Sequence, residues 1–176
     1  MISVDTFVPE GFVEGAHPRV ARPLTDRFNR LGPRGGPQRV VAVVADGADQ
    51  EEVDTLLRQH PGWITRSKAP GVFEVLVDAD ALGALVDRPT LFRWMDIATR
   101  LHGEVLDDAE TLAAVQIYAS DPSAAREAMK RQGGTIAGQA ADGSFKGAVK
   151  AGALGALLME SGIETIEVLR TEGGTR

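Results

Sequence analysis

The chain has 176 residues, of which 43% are hydrophobic and 25% are charged, a composition typical of a soluble globular protein with one large domain or two small ones. It contains no cysteine, which excludes disulfide scaffolds, cysteine-ligated metal sites and thiol nucleophiles. No apolar stretch approaches the roughly 18 residues that a membrane span needs. The first residues also lack the basic and apolar regions of a secretory signal. We therefore expect a cytoplasmic protein with no membrane partner.

The net charge of −6 is unevenly distributed along the chain. The first 39 residues carry six arginines against four acidic residues, whereas the remainder carries 13 basic and 21 acidic residues. An acidic surface repels nucleic acid, so only the arginine-rich N-terminal arm is a candidate for binding it. Prolines and glycines predict that this arm is extended except for one short helix, which Pro23 starts and Gly32 ends. Its apolar stripe is expected to pack on the rest of the protein while the arginines stay solvated: Leu24, Phe28 and Leu31.

An internal repeat organises the rest of the chain. An ungapped alignment of residues 41–100 with residues 113–172, at an offset of 72, gives 16 identities in 60 positions. The clearest match is the pentapeptide ALGAL, at 81–85 and again at 153–157. The two halves are interpreted as duplicates, each large enough for one core. The predicted organisation is an arm at 1–38, a first repeat at 39–101, a linker at 102–110 and a second repeat at 111–176.

Both repeats show the same predicted order of elements. Each opens with a β-branched run, at 40–45 and 112–118. Asp49 and Asp121 then occupy N-cap positions before a helix. Second strands at 63–67 and 135–139 lead through turns at 69–71 and 141–143 into alternating third strands. The ALGAL helix and a last strand, at 93–99 or 164–170, complete each repeat.

This order, β-α-β-β-α-β, is that of the ferredoxin-like fold. The predicted class is therefore α+β, with two tandem ferredoxin-like repeats that have antiparallel sheets. Both helices of such a unit cover one face of the sheet and leave the other free. Alternation along the strands places three apolar residues on the free face of the first repeat: Ala42, Val44 and Leu76. The second repeat presents polar residues there, which favours a solvated face or a polar partner: Gln116, Tyr118, Lys146 and Lys150.

The sequence contains no catalytic or cofactor motif. The histidines lack metal-ligand spacing, the glycine-rich segments lack phosphate-binding patterns, and no serine lies in a GxSxG elbow. The acidic residues of the linker are typical of a solvated segment: Asp107, Asp108 and Glu110. We therefore expect a protein that is not an enzyme and that has no catalytic residue, cofactor or metal. A cofactor-free enzyme is an alternative, because such ferredoxin-like enzymes leave few marks in a sequence.

Each repeat resembles the propeptide domain of subtilisin-like serine proteases and the free-standing inhibitors built on the same fold. The second repeat carries the resemblance over about 60 residues, in the strand residues Val115, Ile117 and Tyr118 and in the segments GTI at 134–136, FKGAV at 145–149, ALGAL at 153–157 and IETIEV at 163–168.

The resemblance implies that the helix-free sheet face lies on the protease surface and that the segment after the last strand occupies the substrate cleft. Only the second repeat ends freely, since the first continues into the linker. The duplication and the absence of an attached protease favour an intracellular inhibitor or adaptor. The implied partner-binding residues are Tyr118, Lys146 and Lys150 on the face, and Arg170, Thr171, Glu172, Gly173, Gly174, Thr175 and Arg176 in the tail.

The predicted function is thus a protein-binding module, an inhibitor or folding partner of a subtilisin-like serine protease. One alternative is a non-inhibitory scaffold, a pseudo-dimeric module whose exposed sheet docks a partner or a second copy, so a homo-oligomer is also a candidate. The other is a small enzyme or ligand carrier with an apolar cavity between the sheets, near Val44 and Leu76.

Overall fold

The computed structural model describes residues 19–31, 37–59, 65–88 and 90–169. Over these ranges the chain forms five α-helices and nine β-strands arranged in two sheets, which confirms the predicted α+β class. The chain divides into two compact units, the first within Met1–Arg66 and Phe73–Ala98 and the second within Ser67–Val72 and Thr99–Arg176. Among the described residues, none of the helices has the length and apolar character needed to cross a bilayer.

The first unit is built on a four-stranded sheet. The elements of this sheet and its helices are α1 (Arg22–Leu31), β1 (Gln38–Val44), α2 (Gln50–Gln59), β2 (Thr65–Ala69), β3 (Val72–Val77), α3 (Ala79–Val86) and β4 (Phe92–Ile97). Strands β2 and β3 belong to this sheet and are described with the first unit, although the hairpin residues Ser67–Val72 group with the second unit. The strand order is β2-β3-β1-β4, and β1 pairs antiparallel with β4. Asp49 acts as the predicted N-cap of α2, because its carboxylate accepts hydrogen bonds from the N–H groups of Glu51 and Glu52 at 2.9 and 3.3 Å.

The core of the first unit lies between this sheet and its helices. Apolar side chains of β1, α2, β3, α3 and β4 form one buried cluster, among them Val40, Ala42, Val53, Leu56, Val75, Val77, Leu82, Leu85 and Met95. Helix α1 adds Leu24 and Phe28 to the same cluster, so the prediction that this helix docks is confirmed for those two residues. The side chain of Leu31 lies outside the described part of the chain.

The predicted face of β1 is wrong. Ala42 is fully buried in the core and Val44 packs against it, so both point towards the helices and not away from them. Leu76 alternates with the core residues Val75 and Val77 and therefore lies on the opposite face, as predicted. Val41 alternates with Ala42 and is also buried on that opposite face.

The reason for the error is a difference in loop length between the two units. Five residues, 45–49, separate β1 from α2, whereas two residues, 120–121, separate the corresponding strand and helix of the second unit. An ungapped alignment that matches the two helices therefore misaligns β1 with the first long strand of the second unit by three residues. A shift by an odd number of residues turns every side chain of a strand to the other face.

The second unit has a five-stranded sheet. Its elements are β5 (Leu101–Gly103), β6 (Leu112–Ala119), α4 (Pro122–Arg131), β7 (Thr135–Gln139), β8 (Phe145–Lys150), α5 (Leu154–Leu158) and β9 (Ile163–Val168). The strand order is β5-β9-β6-β8-β7. All neighbours are antiparallel except β5, which is parallel to β9. Strand β7 begins and ends as predicted, and Asp121 caps α4 by accepting a hydrogen bond from Ala124 N–H at 3.1 Å.

One face of this sheet is covered by helices. Helix α4 packs against β6, β7 and β9, and α5 packs against β9. The residues of β6 that point to this side are completely buried: Ala113, Val115 and Ile117. Gly147 allows β8 to lie close to β7 and to the Met129 side chain of α4, because a side chain at position 147 would overlap Thr135 O and Met129 Cε. Among the described residues of this unit, no helix lies on the opposite face.

A segment that precedes each unit's first long strand pairs with that unit's last strand. In the first unit Val20 forms a parallel bridge with Met95, supported by the hydrogen bond from Ala21 N–H to Met95 O at 2.8 Å. In the second unit β5 pairs parallel with β9 in the same way. Val20 and Leu101 are both buried. In the predicted organisation these segments fall in the arm and at the junction with the linker, so the similarity between the two units extends beyond the 60 aligned residues.

Candidate functional site

The helix-free face of the second unit's sheet is exposed, and we call it the open face. Its side chains alternate with the buried ones along each strand. They are His102 on β5, Thr165 and Glu167 on β9, Leu112, Ala114, Gln116 and Tyr118 on β6, and Lys146, Ala148 and Lys150 on β8. Leu112 is 62% exposed and Tyr118 38% exposed, values unusual for large apolar side chains in the described part of the chain.

The register of the strands aligns four of these side chains in one row. His102 lies opposite Glu167, Glu167 opposite Gln116, and Gln116 opposite Lys146. Adjacent strands are about 4.8 Å apart, so the row extends roughly 14 Å across the sheet. An acidic residue therefore lies on one side of β6 and a basic residue on the other, at the same height along the strand.

The two lysines of the open face differ in their surroundings. Lys150 Nζ lies 2.7 Å from Glu110 Oε2. The hydrogen bond from Lys150 and the charge of Glu110 both raise the pKa of Lys150 above its ordinary value. Lys146 is exposed and makes no ion pair with any residue in the described ranges. Lys146 is thus the cation of this face that is available to an acidic group on a partner.

A chain of hydrogen bonds fixes the middle of the face. Gln116 Nε2 donates to Ser144 Oγ at 3.0 Å, and Ser144 Oγ donates to Asp142 Oδ1 at 2.7 Å. Ser144 N–H also donates to the same carboxylate oxygen at 2.9 Å. These bonds from Ser144, the hydroxyl first, lower the pKa of Asp142. Ser144 is buried, so the Gln116 side chain is held by a fixed partner although it lies on the surface.

The structure brings together the three predicted face residues. Tyr118, Lys146 and Lys150 lie on the open face with Gln116, as the alternation predicts. The Tyr118 hydroxyl also lies 3.5 Å from Glu167 Oε2, which links β6 to β9. The predicted tail residues lie outside the described part of the chain: Arg170, Thr171, Glu172, Gly173, Gly174, Thr175 and Arg176.

Sequence reasoning missed several residues of the open face, among them Leu112, Glu167 and His102. Extending the alternation from Gln116 back to the strand start finds Leu112, and the alternation of Ile166 with Val168 finds Glu167. No comparable signal exists for His102, because its placement depends on β5, which has three residues. His17 and His60 lie outside the described residues.

The geometry does not support the predicted ligand cavity near Val44 and Leu76. These residues lie on opposite faces of the first unit's sheet, so one cavity cannot be lined by both. A cavity of about 60 Å³ beside Leu76 is lined otherwise by the polar side chains of Arg39, Arg66 and Glu74. Within the ranges that the structure describes, no three acidic or histidine side chains converge in a way that could hold a metal ion.

The chain matches no family model, no curated protein and no solved structure.

Proposed function

We propose that both units are ferredoxin-like domains and that the chain is a protein-binding module, an inhibitor or folding partner of a subtilisin-like serine protease. With α1 of the first unit and β5 of the second left aside, each unit has the element order β-α-β-β-α-β. In each, the third strand pairs with the second and with the first, and the fourth strand pairs with the first on its other side. This is the strand arrangement of a split β-α-β unit.

The observation that carries the proposal is the exposed, helix-free face of the second unit. Leu112 and Tyr118 lie near the two ends of β6 and give this face an exposed apolar and an exposed aromatic side chain, and Gln116 lies between them with the charged side chains of β8 and β9 beside it. Specific protein interfaces likewise combine apolar and aromatic contacts with polar and charged ones. The propeptide-like mode places such a face on the protease and leaves the helices pointing away from it.

The path of the chain after β9 is compatible with a substrate-like tail. Leu169 N–H donates to Ala114 O at 2.8 Å, so the backbone follows the sheet as far as Leu169. The seven residues that follow have a reach of about 20 to 25 Å when extended, which is enough to cross several subsites of a protease cleft. In this mechanism the open face supplies affinity and the tail blocks the cleft as a product-like segment.

The test measures peptide hydrolysis by a purified subtilisin-like serine protease as the chain is titrated into it. The full chain is expected to inhibit, and the variant that lacks residues 171–176 is expected to lose inhibition because the cleft stays open. Lys130→Glu is the matched control, since Lys130 is an exposed residue on α4, away from the open face. Unchanged inhibition by the truncated chain would contradict the tail mechanism, and no inhibition by the full chain would contradict the protease as target.

A non-inhibitory scaffold is the second candidate. The exposure of Leu112 and Tyr118 favours it as well, because those side chains provide a contact surface that needs no tail. A scaffold would bind its partner with unchanged affinity after deletion of residues 171–176. The same truncated variant therefore separates the two functions.

A further inference from the structure

We propose that the open face of the second unit binds the open face of a second copy of this chain, forming a weak two-fold symmetric dimer in which β6 stacks on β6. This dimer does not require a protease as the target of the chain, because it follows from how charge and apolar area are distributed about β6.

The charges on either side of β6 are complementary under a two-fold rotation. Two copies of the open face can meet about a two-fold axis that lies in the interface and runs parallel to β6. Rotation about this axis exchanges the strands on the two sides of β6. Strand β8 of one copy then faces β9 of the other. Because Lys146 and Glu167 both lie level with Gln116, Lys146 of each copy faces Glu167 of the other, and the contact occurs twice.

The open-face side chains of β6 lie along the two-fold axis, so each of them can face the same residue of the second copy. Leu112 and Tyr118, the exposed large apolar residues of β6, would each meet the same residue of the second copy. Two tyrosine rings can stack with an offset. Gln116 is compatible with the axis because an amide is both donor and acceptor and so can bond to an identical amide.

The charge balance favours a second copy over a strongly charged partner. Lys150 is already paired with Glu110 within the chain, so it adds no unmatched charge to the face. Lys146 and Glu167 then remain as one positive and one negative group. A nearly neutral face of this kind suits an identical face better than it suits a nucleic acid or a highly charged protein.

The size of the face sets the expected affinity. Five strands at about 4.8 Å spacing give a width of roughly 20 Å, and six residues at about 3.4 Å give a similar length, so each copy buries roughly 400 Å². Stable complexes bury about 800 Å² per partner, so this interface belongs to the weak and transient class. Dimerisation is therefore expected at micromolar concentration or above.

The test is sedimentation of the full chain over a concentration range from about 1 µM to 1 mM. The wild type is expected to shift from monomer to dimer. Lys146→Glu or Glu167→Lys alone creates two like-charge contacts in the dimer and is expected to weaken dimerisation at least about tenfold. Lys130→Glu on α4 makes the same change in net charge as Lys146→Glu and is expected to leave it unchanged.

The decisive sample is an equal mixture of the two single variants. Each variant repels itself, but in a mixed pair the new carboxylate at position 146 of one chain faces the new ammonium group at position 167 of the other. The second contact of the mixed pair joins the unchanged Glu167 to the unchanged Lys146. Both contacts are then between opposite charges, so the mixture is expected to recover dimerisation to near the wild-type level.

Far-UV circular dichroism of each variant verifies that it is folded. A wild type that is monomeric over the whole range, single variants that dimerise normally, or a mixture that does not recover would each overturn the proposal.

Discussion

Gln116, Ser144 and Asp142 form a hydrogen-bond chain that connects the surface of the open face to the turn before β8. Substituting Ser144→Ala removes the hydroxyl that both accepts from Gln116 and donates to Asp142. The pKa of Asp142 is therefore expected to rise towards its ordinary value, although the bond from the backbone N–H of residue 144 remains. A carboxyl-carbon NMR titration of the variant measures this, with Ser123→Ala on the exposed surface of α4 as control.

The same carboxyl gives a defined pH dependence. Because the pKa of Asp142 is lower in the folded chain than in the unfolded chain, its ionised form stabilises the fold above the unfolded-state pKa. That contribution is lost as the pH falls through the folded-state pKa, and Ser144→Ala is expected to diminish it. An Asp142 titration that is identical in wild type and variant would show that the hydroxyl does not hold this carboxylate.

At the scale of elements, β5 closes the edge of the sheet next to β9. Its last residue, Gly103, has a φ of 96°, and a side chain there would overlap Val168 O. Gly103→Ala is therefore expected to break the β5–β9 pairing and to lower the free energy of unfolding by about 1 to 3 kcal/mol. Urea denaturation measures the loss, and hydrogen exchange of the β5 and β9 amides locates it.

Gly133→Ala provides the control for this effect. Gly133 has a φ of 75°, but nothing lies near the place where its side chain would project. The control therefore isolates the cost of the left-handed conformation from the cost of the overlap. If the two variants lose equal stability and β5 amides stay protected in both, the close approach of the strands is not what makes Gly103 necessary.

The elements show what a sequence of this kind can and cannot predict. The caps Asp49 and Asp121, strand β7 and the exposed side of β6 follow from local rules, because capping and alternation depend on residues close in sequence. Strand β5 does not, since three residues carry too little pattern to distinguish a strand from a linker. The face of β1 does not follow from local rules either, because the two units differ by three residues in the loop after their first long strand, and no residue within Gln38–Val44 reveals this difference.

At the scale of the whole molecule, the two units share a topology but differ on the face away from their helices. In the first unit Val41 and Val43 on that face are buried, whereas in the second unit the corresponding positions of β6 are partly or largely exposed. The helix-free face of the first unit thus carries buried apolar side chains, whereas the open face of the second unit carries exposed apolar, polar and charged side chains. If that face both inhibits a protease and dimerises, the two contacts compete, and inhibition per chain is expected to weaken as the chain concentration rises.

The central claim is that the open face is the contact surface of the chain, and Tyr118 provides the most direct measurement of it. Tyr118 is the single tyrosine of the sequence and lies on that face. Biosynthetic replacement with 3-fluorotyrosine gives one ¹⁹F resonance from this position. We predict that the resonance shifts and broadens as the labelled chain is concentrated and as a purified subtilisin-like protease is added. A resonance that stays unchanged while the chain self-associates or inhibits the protease would contradict the assignment of the open face as the contact surface.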